Sequence, residues 1–105
     1  MKNDFLIKAK FFRGLSDATR LSILLTLIDG QKTVGEIVEK IQQSQSNVSN
    51  HLNCLSDCGL VKSRREGKNI YYSLRDPKTK DLLSLSQKVI SKVSIDIAAC
   101  LRYKE

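Results

Sequence analysis

The chain has 105 residues, 41% hydrophobic and 28% charged, with one Pro and five Gly, which is the composition of a folded domain rather than a disordered segment. No apolar run approaches the roughly 18 residues that cross a bilayer, because Ser22 and Thr26 break the Leu21–Ile28 stretch, and Met1-Lys2-Asn3-Asp4 does not open a signal peptide. A single domain over residues 1–105, cytoplasmic and off the membrane, is therefore expected, with a formal net charge of +7.

That charge is unevenly placed. Residues 1–59 carry seven bases and six acids, whereas residues 60–105 carry eleven bases and five acids. Lys62, Arg64, Arg65, Lys68, Arg75, Lys78 and Lys80 crowd into one short stretch. Such a patch suits a polyanion, since each neutralised phosphate releases condensed counterions; on charge alone a solvated basic surface is the favoured reading. Three cysteines, an odd number without a secretion signal, argue against a disulfide framework.

In chain order, Phe5, Leu6, Ala9, Phe11 and Phe12 recur at roughly helical spacing and Gly14 ends that segment. Ser16-Asp17 offers a cap for a second helix with the stripe Leu21, Leu24, Leu25 and Ile28, stopped at Asp29-Gly30. Thr33 with Glu36 is a capping-box signature that opens a short third helix through Ile37, Val38 and Ile41. After Gln42-Gln43, Ser44 can cap a fourth helix running to Cys58, with Gly59 as its stop. Two short helices joined by a few polar residues form a helix-turn-helix. Leu60–Arg65 and Asn69–Leu74 read as two strands around Glu66-Gly67-Lys68, a hairpin signal.

Asp76-Pro77 starts a last helix in which Leu82, Leu85, Val89, Val93 and Ile97 are spaced three or four apart. So long an apolar stripe has little intramolecular core left to cover it. It is read as a dimer surface, shared with the first helix, although an ordinary core stripe has the same spacing. The expected fold is mainly α with a β-hairpin wing: a winged helix-turn-helix of five helices and two strands, dimeric through its first and last helices.

On the fourth helix Val48, Leu52 and Leu55 fall on one face and mark its core side. Ser46, Asn50, Asn53 and Asp57 lie roughly opposite, with Ser49 at one margin. Short amide and hydroxyl side chains at the start of a recognition helix suit base edges in the major groove of double-stranded operator DNA. Gln45, Ser46, Asn47, Ser49 and Asn50 are therefore the candidate contacts. Polar residues also cover any solvent face; the preceding helix and the basic hairpin that follows favour the DNA reading. Arg64, Arg65 and Lys68 on the hairpin would meet phosphate or the minor groove, positioning more than specifying. His51, the one histidine, sits at the edge of the core stripe and reads as packed or DNA-facing rather than as a ligand. With no Gly-rich phosphate loop and no nucleophile with a His and acid partner, no enzyme is expected.

Leu15-Ser16-Asp17-Ala18-Thr19-Arg20-Leu21-Ser22-Ile23-Leu24, Ser49-Asn50-His51-Leu52 and Gly67-Lys68-Asn69-Ile70-Tyr71-Tyr72-Ser73-Leu74 resemble the helix opening, recognition helix and wing of the ArsR–SmtB family. The resemblance covers residues 15–74 and implies a five-helix winged fold, a dimer through the first and last helices, and repression of metal-resistance operons.

Cys54 and Cys58, at i and i+4, bring their β-carbons to about 5–6 Å on one face of the fourth helix. They point sideways, toward a neighbouring element rather than straight at DNA. Cys100 could add a third sulfur, making a soft site without carboxylate or imidazole; free cysteines are also commonly small apolar core residues. The run from Ser46 to Val61, with both thiols in it, resembles the mycobacterial-type cadmium/lead sensor branch of the family. That resemblance implies a metal site of Cys54, Cys58 and Cys100 that takes Cd²⁺ or Pb²⁺ as inducer, with Zn²⁺ as a further candidate. Thr33–Ile41 lacks the Cys-x-Cys used by other members, and no histidine follows Asp76 for a zinc site on the last helix. With five residues after Cys100, the third ligand is expected on the last helix, from either protomer. The alternative is a thiol-based redox-sensing repressor using the same three cysteines.

Overall fold

The computed structural model describes residues 2–104, with side chains described for residues 3–93. Its elements are α1 (Lys2–Gly14), α2 (Ala18–Leu27), β1 (Lys32–Thr33), α3 (Val34–Ile41), α4 (Gln45–Asp57), β2 (Val61–Glu66), β3 (Asn69–Leu74) and α5 (Lys78–Lys104). The five helices and the hairpin occur where the sequence places them. The two expected strands gain a third: β1 pairs antiparallel with β3, Lys32 opposite Tyr72 and Thr33 opposite Tyr71, giving the order β1-β3-β2. Two residues are too few to show a period, so β1 is invisible to pattern reading.

Local chemistry sets the starts of three helices. The Asp17 carboxylate accepts from the Arg20 amide at 3.0 Å and caps α2. Thr33 and Glu36 complete a reciprocal capping box on α3, at 3.2 and 2.9 Å. The Ser44 hydroxyl accepts from the Asn47 amide at 3.2 Å and caps α4. Between α3 and α4 the chain turns at Gln42, left-handed at φ 62°, where a side chain is uncommon. Gly67 stands at φ 61° in a two-residue connection, since Glu66 pairs with Asn69. A positive φ at the first central position suits the strand twist of a hairpin and favours Gly there.

The core is built from Ile23, Leu24 and Leu27 of α2, Ile37 of α3, Val48, Leu52 and Leu55 of α4, and Leu60 and Val61 at the entry to β2. In α4 these are the residues expected. In α2 the expected stripe is corrected: Leu24 is buried, Leu21 and Ile28 are half-buried, and Leu25 is 56% exposed. Ile23 and Leu27 take its place. The two outermost long helices contribute only partly buried residues, Phe11 of α1 and Leu83 of α5, with Leu15 just after α1.

Candidate nucleic-acid interface and thiol pair

With Val48, Leu52 and Leu55 held in the core, the opposite face of α4 is presented outward. Gln45, Ser46, Asn50 and Asn53 are exposed; Asn47 and Ser49 are half-buried at the margins. Asn47 also donates to the Gln43 side chain at 2.9 Å, which ties the first turn of α4 back to the interhelical turn. Donors and acceptors thus stand in a row at the N-terminal half of a helix whose depth is fixed by its buried side. That is what reading base edges requires.

The hairpin formed by β2 and β3 carries Lys62, Arg64, Arg65 and Lys68, all exposed. Arg64 is already engaged. Its guanidinium pairs with Glu66 at 2.8 Å, donates to the Gln31 side chain at 2.9 Å and lies over the Tyr71 ring at 5.7 Å. Arg65 and Lys68 make no ion pair among the described residues. The three basic residues expected to act alike on the wing are therefore of two kinds: one fixed across the sheet, two presented to solvent.

Cys54 and Cys58 are both free and half-buried, and their thiols are in hydrogen-bonding contact. Burial, then the charge and hydrogen bond of Cys54, push the Cys58 thiol pKa up, while Lys10 and Arg20 pull it down. The thiol of Cys58 is packed against the end of α1: a β-carbon on Gly14 would lie 3.3 Å from its sulfur and 3.1 Å from its own β-carbon. Two convergent sulfurs, with two cations near that of Cys58, fit a soft cation bound as thiolate. Among the described residues no third His, Cys, Asp or Glu completes a set of three with them. Cys100 falls on α5, but its side chain lies outside the described residues, and so does that of Ile97.

His51, Cys54 and Cys58, at i, i+3 and i+7, share one flank of α4. The His51 ring nitrogen Nδ1 lies 3.4 Å from Arg20 Nη1 and 3.9 Å from the Asp17 carboxylate. Arg20 donates in turn from Nε to the Gly14 carbonyl at 3.0 Å and from Nη2 to the Arg13 carbonyl at 2.9 Å. Sequence reading took His51 as packed or DNA-facing and Gly14 as a helix stop, and gave Lys10 and Gln31 no role and Arg20 none beyond the helix-opening motif. Its only available signal was Arg20 three residues after a cap, which says nothing about a histidine 31 residues on.

On α5 Leu82 is half-buried, whereas Leu85, Val89 and Val93 are exposed by 60%, 58% and 40%. Phe5, Leu6, Ile7 and Phe12 of α1 are similarly exposed. Among the described residues no helix is long and apolar enough to cross a membrane.

A family profile described as "Bacterial regulatory protein, arsR family" matches residues 17–63. A probable mercury resistance operon repressor of Streptomyces lividans is 43% identical over 94 residues, covering 90% of this chain and 75% of that protein. A cadmium resistance transcriptional regulatory protein, a CadC homolog of Staphylococcus aureus, is 41% identical over 76 residues, 71% of this chain and 63% of that protein. Among solved structures, the homodimeric winged helix-turn-helix DNA-binding domain of a possible ArsR-family regulator from Mycobacterium bovis superposes with a TM-score of 0.78 at 29% identity, covering 90% of this chain and 88% of that one.

Proposed function

The chain belongs to the arsR family of bacterial regulatory proteins, and we propose that it is a metal-responsive repressor that binds operator DNA as a dimer and releases it when a thiophilic ion is held by Cys54, Cys58 and Cys100. Its relatives are transcription regulators, not enzymes. The observation that carries the finer reading is that both described thiols converge on the flank of the helix whose exposed face bears Gln45, Ser46 and Asn50. A ligand there acts on the reading element itself. Two similar proteins are named for mercury and cadmium resistance, both thiophilic metals; the fit of Cd²⁺ or Pb²⁺ to this chain rests on its own sulfur donors. In this reading Gln45, Ser46, Asn47, Ser49 and Asn50 read bases. Arg65 and Lys68 neutralise phosphate, and Arg64 stiffens the wing.

A soft ion would be held by the thiolates of Cys54 and Cys58 with Cys100, and would supply the ligation that draws these thiols together. The chain's own residues do the rest: Lys10 and Arg20 favour the thiolate at Cys58, and Gly14 leaves the space its side chain occupies. Titration with Cd²⁺, followed by ultraviolet thiolate-to-metal absorption and by operator-binding anisotropy, tests the proposal, with Pb²⁺, Hg²⁺ and Zn²⁺ as comparisons. Cys54→Ser is expected to lose the absorption and to stay on DNA whether or not cadmium is present. A Cys54→Ser protein with wild-type absorption and cadmium release would sink it. A peroxide arm separates the redox alternative. β-Carbons about 5–6 Å apart at i, i+4 exceed the roughly 3.5–4.5 Å of a disulfide, so a Cys54–Cys58 disulfide is disfavoured and oxidation would run through a sulfenic acid or another thiol.

A further inference from the structure

We infer that Arg20 is the residue that couples the thiol pair to the DNA-reading helix, by tying the end of α1 to the His51 flank of α4. The inference rests on the metal-sensing reading above and specifies how that site acts.

Arg20 is half-buried and its guanidinium spans three elements. Two of its nitrogens hold the last carbonyls of α1, at Arg13 and Gly14, and the third faces His51 Nδ1 at 3.4 Å. Its own amide is bound by Asp17, whose carboxylate also stands 3.9 Å from that ring nitrogen. The same last turn of α1 bears on Cys58: at Gly14 there is no room for a β-carbon between the helix end and the side chains of Cys58 and Leu60, the nearest atom being Leu60 Cδ1 at 2.7 Å. The end of α1 therefore touches the sensing thiol on one side and is clamped by Arg20 on the other.

Close-packed contacts such as those at Gly14 transmit strain rather than absorb a displaced side chain locally. When Cys58 turns toward an ion shared with Cys54, the last turn of α1 must give way or α4 must move. With Arg20 in place the two are joined, because α1 is tied through the guanidinium to His51, two turns before Cys58 on the same flank. Displacement at the thiol is then passed to α4, and so to Asn50 beside His51. Without the tie, α1 yields alone and α4 keeps its DNA-reading position. A planar fork is needed for this role: it donates to two carbonyls and still presents a third nitrogen, which a lysine ammonium on a flexible stem does not reproduce.

The test measures coupling rather than either binding event. In the dimeric full-length protein, operator affinity is determined with and without saturating Cd²⁺, and Cd²⁺ stoichiometry is read from thiolate absorption. The wild type is expected to lose about tenfold or more in operator affinity, within the usual range of allosteric coupling. Arg20→Lys is expected to keep the wild-type absorption per protomer and an apo operator affinity within about twofold, while the cadmium effect shrinks to about twofold or less. Reciprocity requires that operator DNA also cease to weaken Cd²⁺ binding, by the same factor. His51→Leu should behave likewise. His51→Asn, whose amide oxygen can accept from Arg20, should restore most of the coupling. A purely structural role would lower melting temperature and apo DNA affinity without changing the ratio. A folded Arg20→Lys or His51→Leu dimer with the wild-type ratio overturns the inference, and His51→Leu decides alone if Arg20→Lys does not fold. A wild type that shows no thiolate absorption with Cd²⁺ defeats the metal reading and the coupling role with it, and that result is seen before any variant is compared.

Discussion

At Cys58 opposing effects meet on one sulfur: burial and Cys54 raise its pKa above the ordinary 9.0, while Lys10 and Arg20 lower it by less. The raised pKa favours the protonated thiol in the folded chain. For folding, a raised pKa contributes stability that is fully present below pH 9.0 and lost as pH climbs through the raised value. For metal binding the proton must leave, so the sign reverses and affinity falls as pH falls. Cadmium affinity is accordingly expected to rise with pH and to keep rising into the ordinary thiol range, with a shallower slope for Cys58→Ser. A wild-type plateau well below that range, found by competition titration across pH, would remove Cys58 from the ligand set. Asp17 shows the opposite case. Its pKa is lowered, first by the Arg20 amide and less by the charges of His51 and Arg20, so its cap on α2 is present above the ordinary carboxylate pKa of 3.8 and lost as pH falls through the folded value.

In the proposed function α4 and the hairpin divide the work between reading and holding. The polar face of α4 is short-armed and set at fixed depth by Val48, Leu52 and Leu55, whereas the wing offers charge at the end of a two-residue turn. Arg65→Ala combined with Lys68→Ala is expected to weaken binding to all sequences and to lower the salt slope by about two, since each neutralised phosphate contributes about one. Asn50→Ala is expected to weaken the cognate site alone, by about 1–3 kcal/mol if it makes a paired contact with one base. Anisotropy on cognate and scrambled duplexes over a salt series reads both. An unchanged slope in the double variant would take the wing out of the interface; equal losses on both duplexes would show that Asn50 does not read bases.

The whole molecule is extended for its length. Its radius of gyration is 15.2 Å, against about 13 Å for a compact chain of 100 residues, and most of its exposed large apolar side chains are on α1 and α5. Exposed apolar side chains gathered on two helices suit an association face, and a twofold dimer would cover them with a self-complementary patch. Val93, 40% exposed on α5, is the point to probe. Val93→Asp would bury a carboxylate in the proposed interface, so light scattering should find a monomer, and operator binding should fall because two half-sites are no longer engaged at fixed spacing. A dimeric, fully binding variant would show that α5 packs elsewhere.

Features whose partners lie within one helical turn or one hairpin were legible from the amino acids. The caps at Asp17, Thr33 and Ser44 are bonds across three residues, and the alternation of polar and apolar residues in α4 leaves a single phase for its buried side. The sequence by itself therefore determined the helix starts, the exposed polar face of α4, the hairpin and the i, i+4 placement of the thiols. It could not phase α2, because Leu21–Ile28 is apolar almost all round and periodicity vanishes when every face qualifies; packing chose Ile23 and Leu27 over Leu25. Nor could it show β1, which exists only because β3 lies beside it, or the hold of Gln31 on Arg64 across 33 residues. The Arg20–His51 approach and the seat of Cys58 against Gly14 likewise join residues far apart in the chain. Tertiary structure alone decided these, since such contacts depend on where whole elements dock, and docking is set by the summed burial of many side chains rather than by any local pattern.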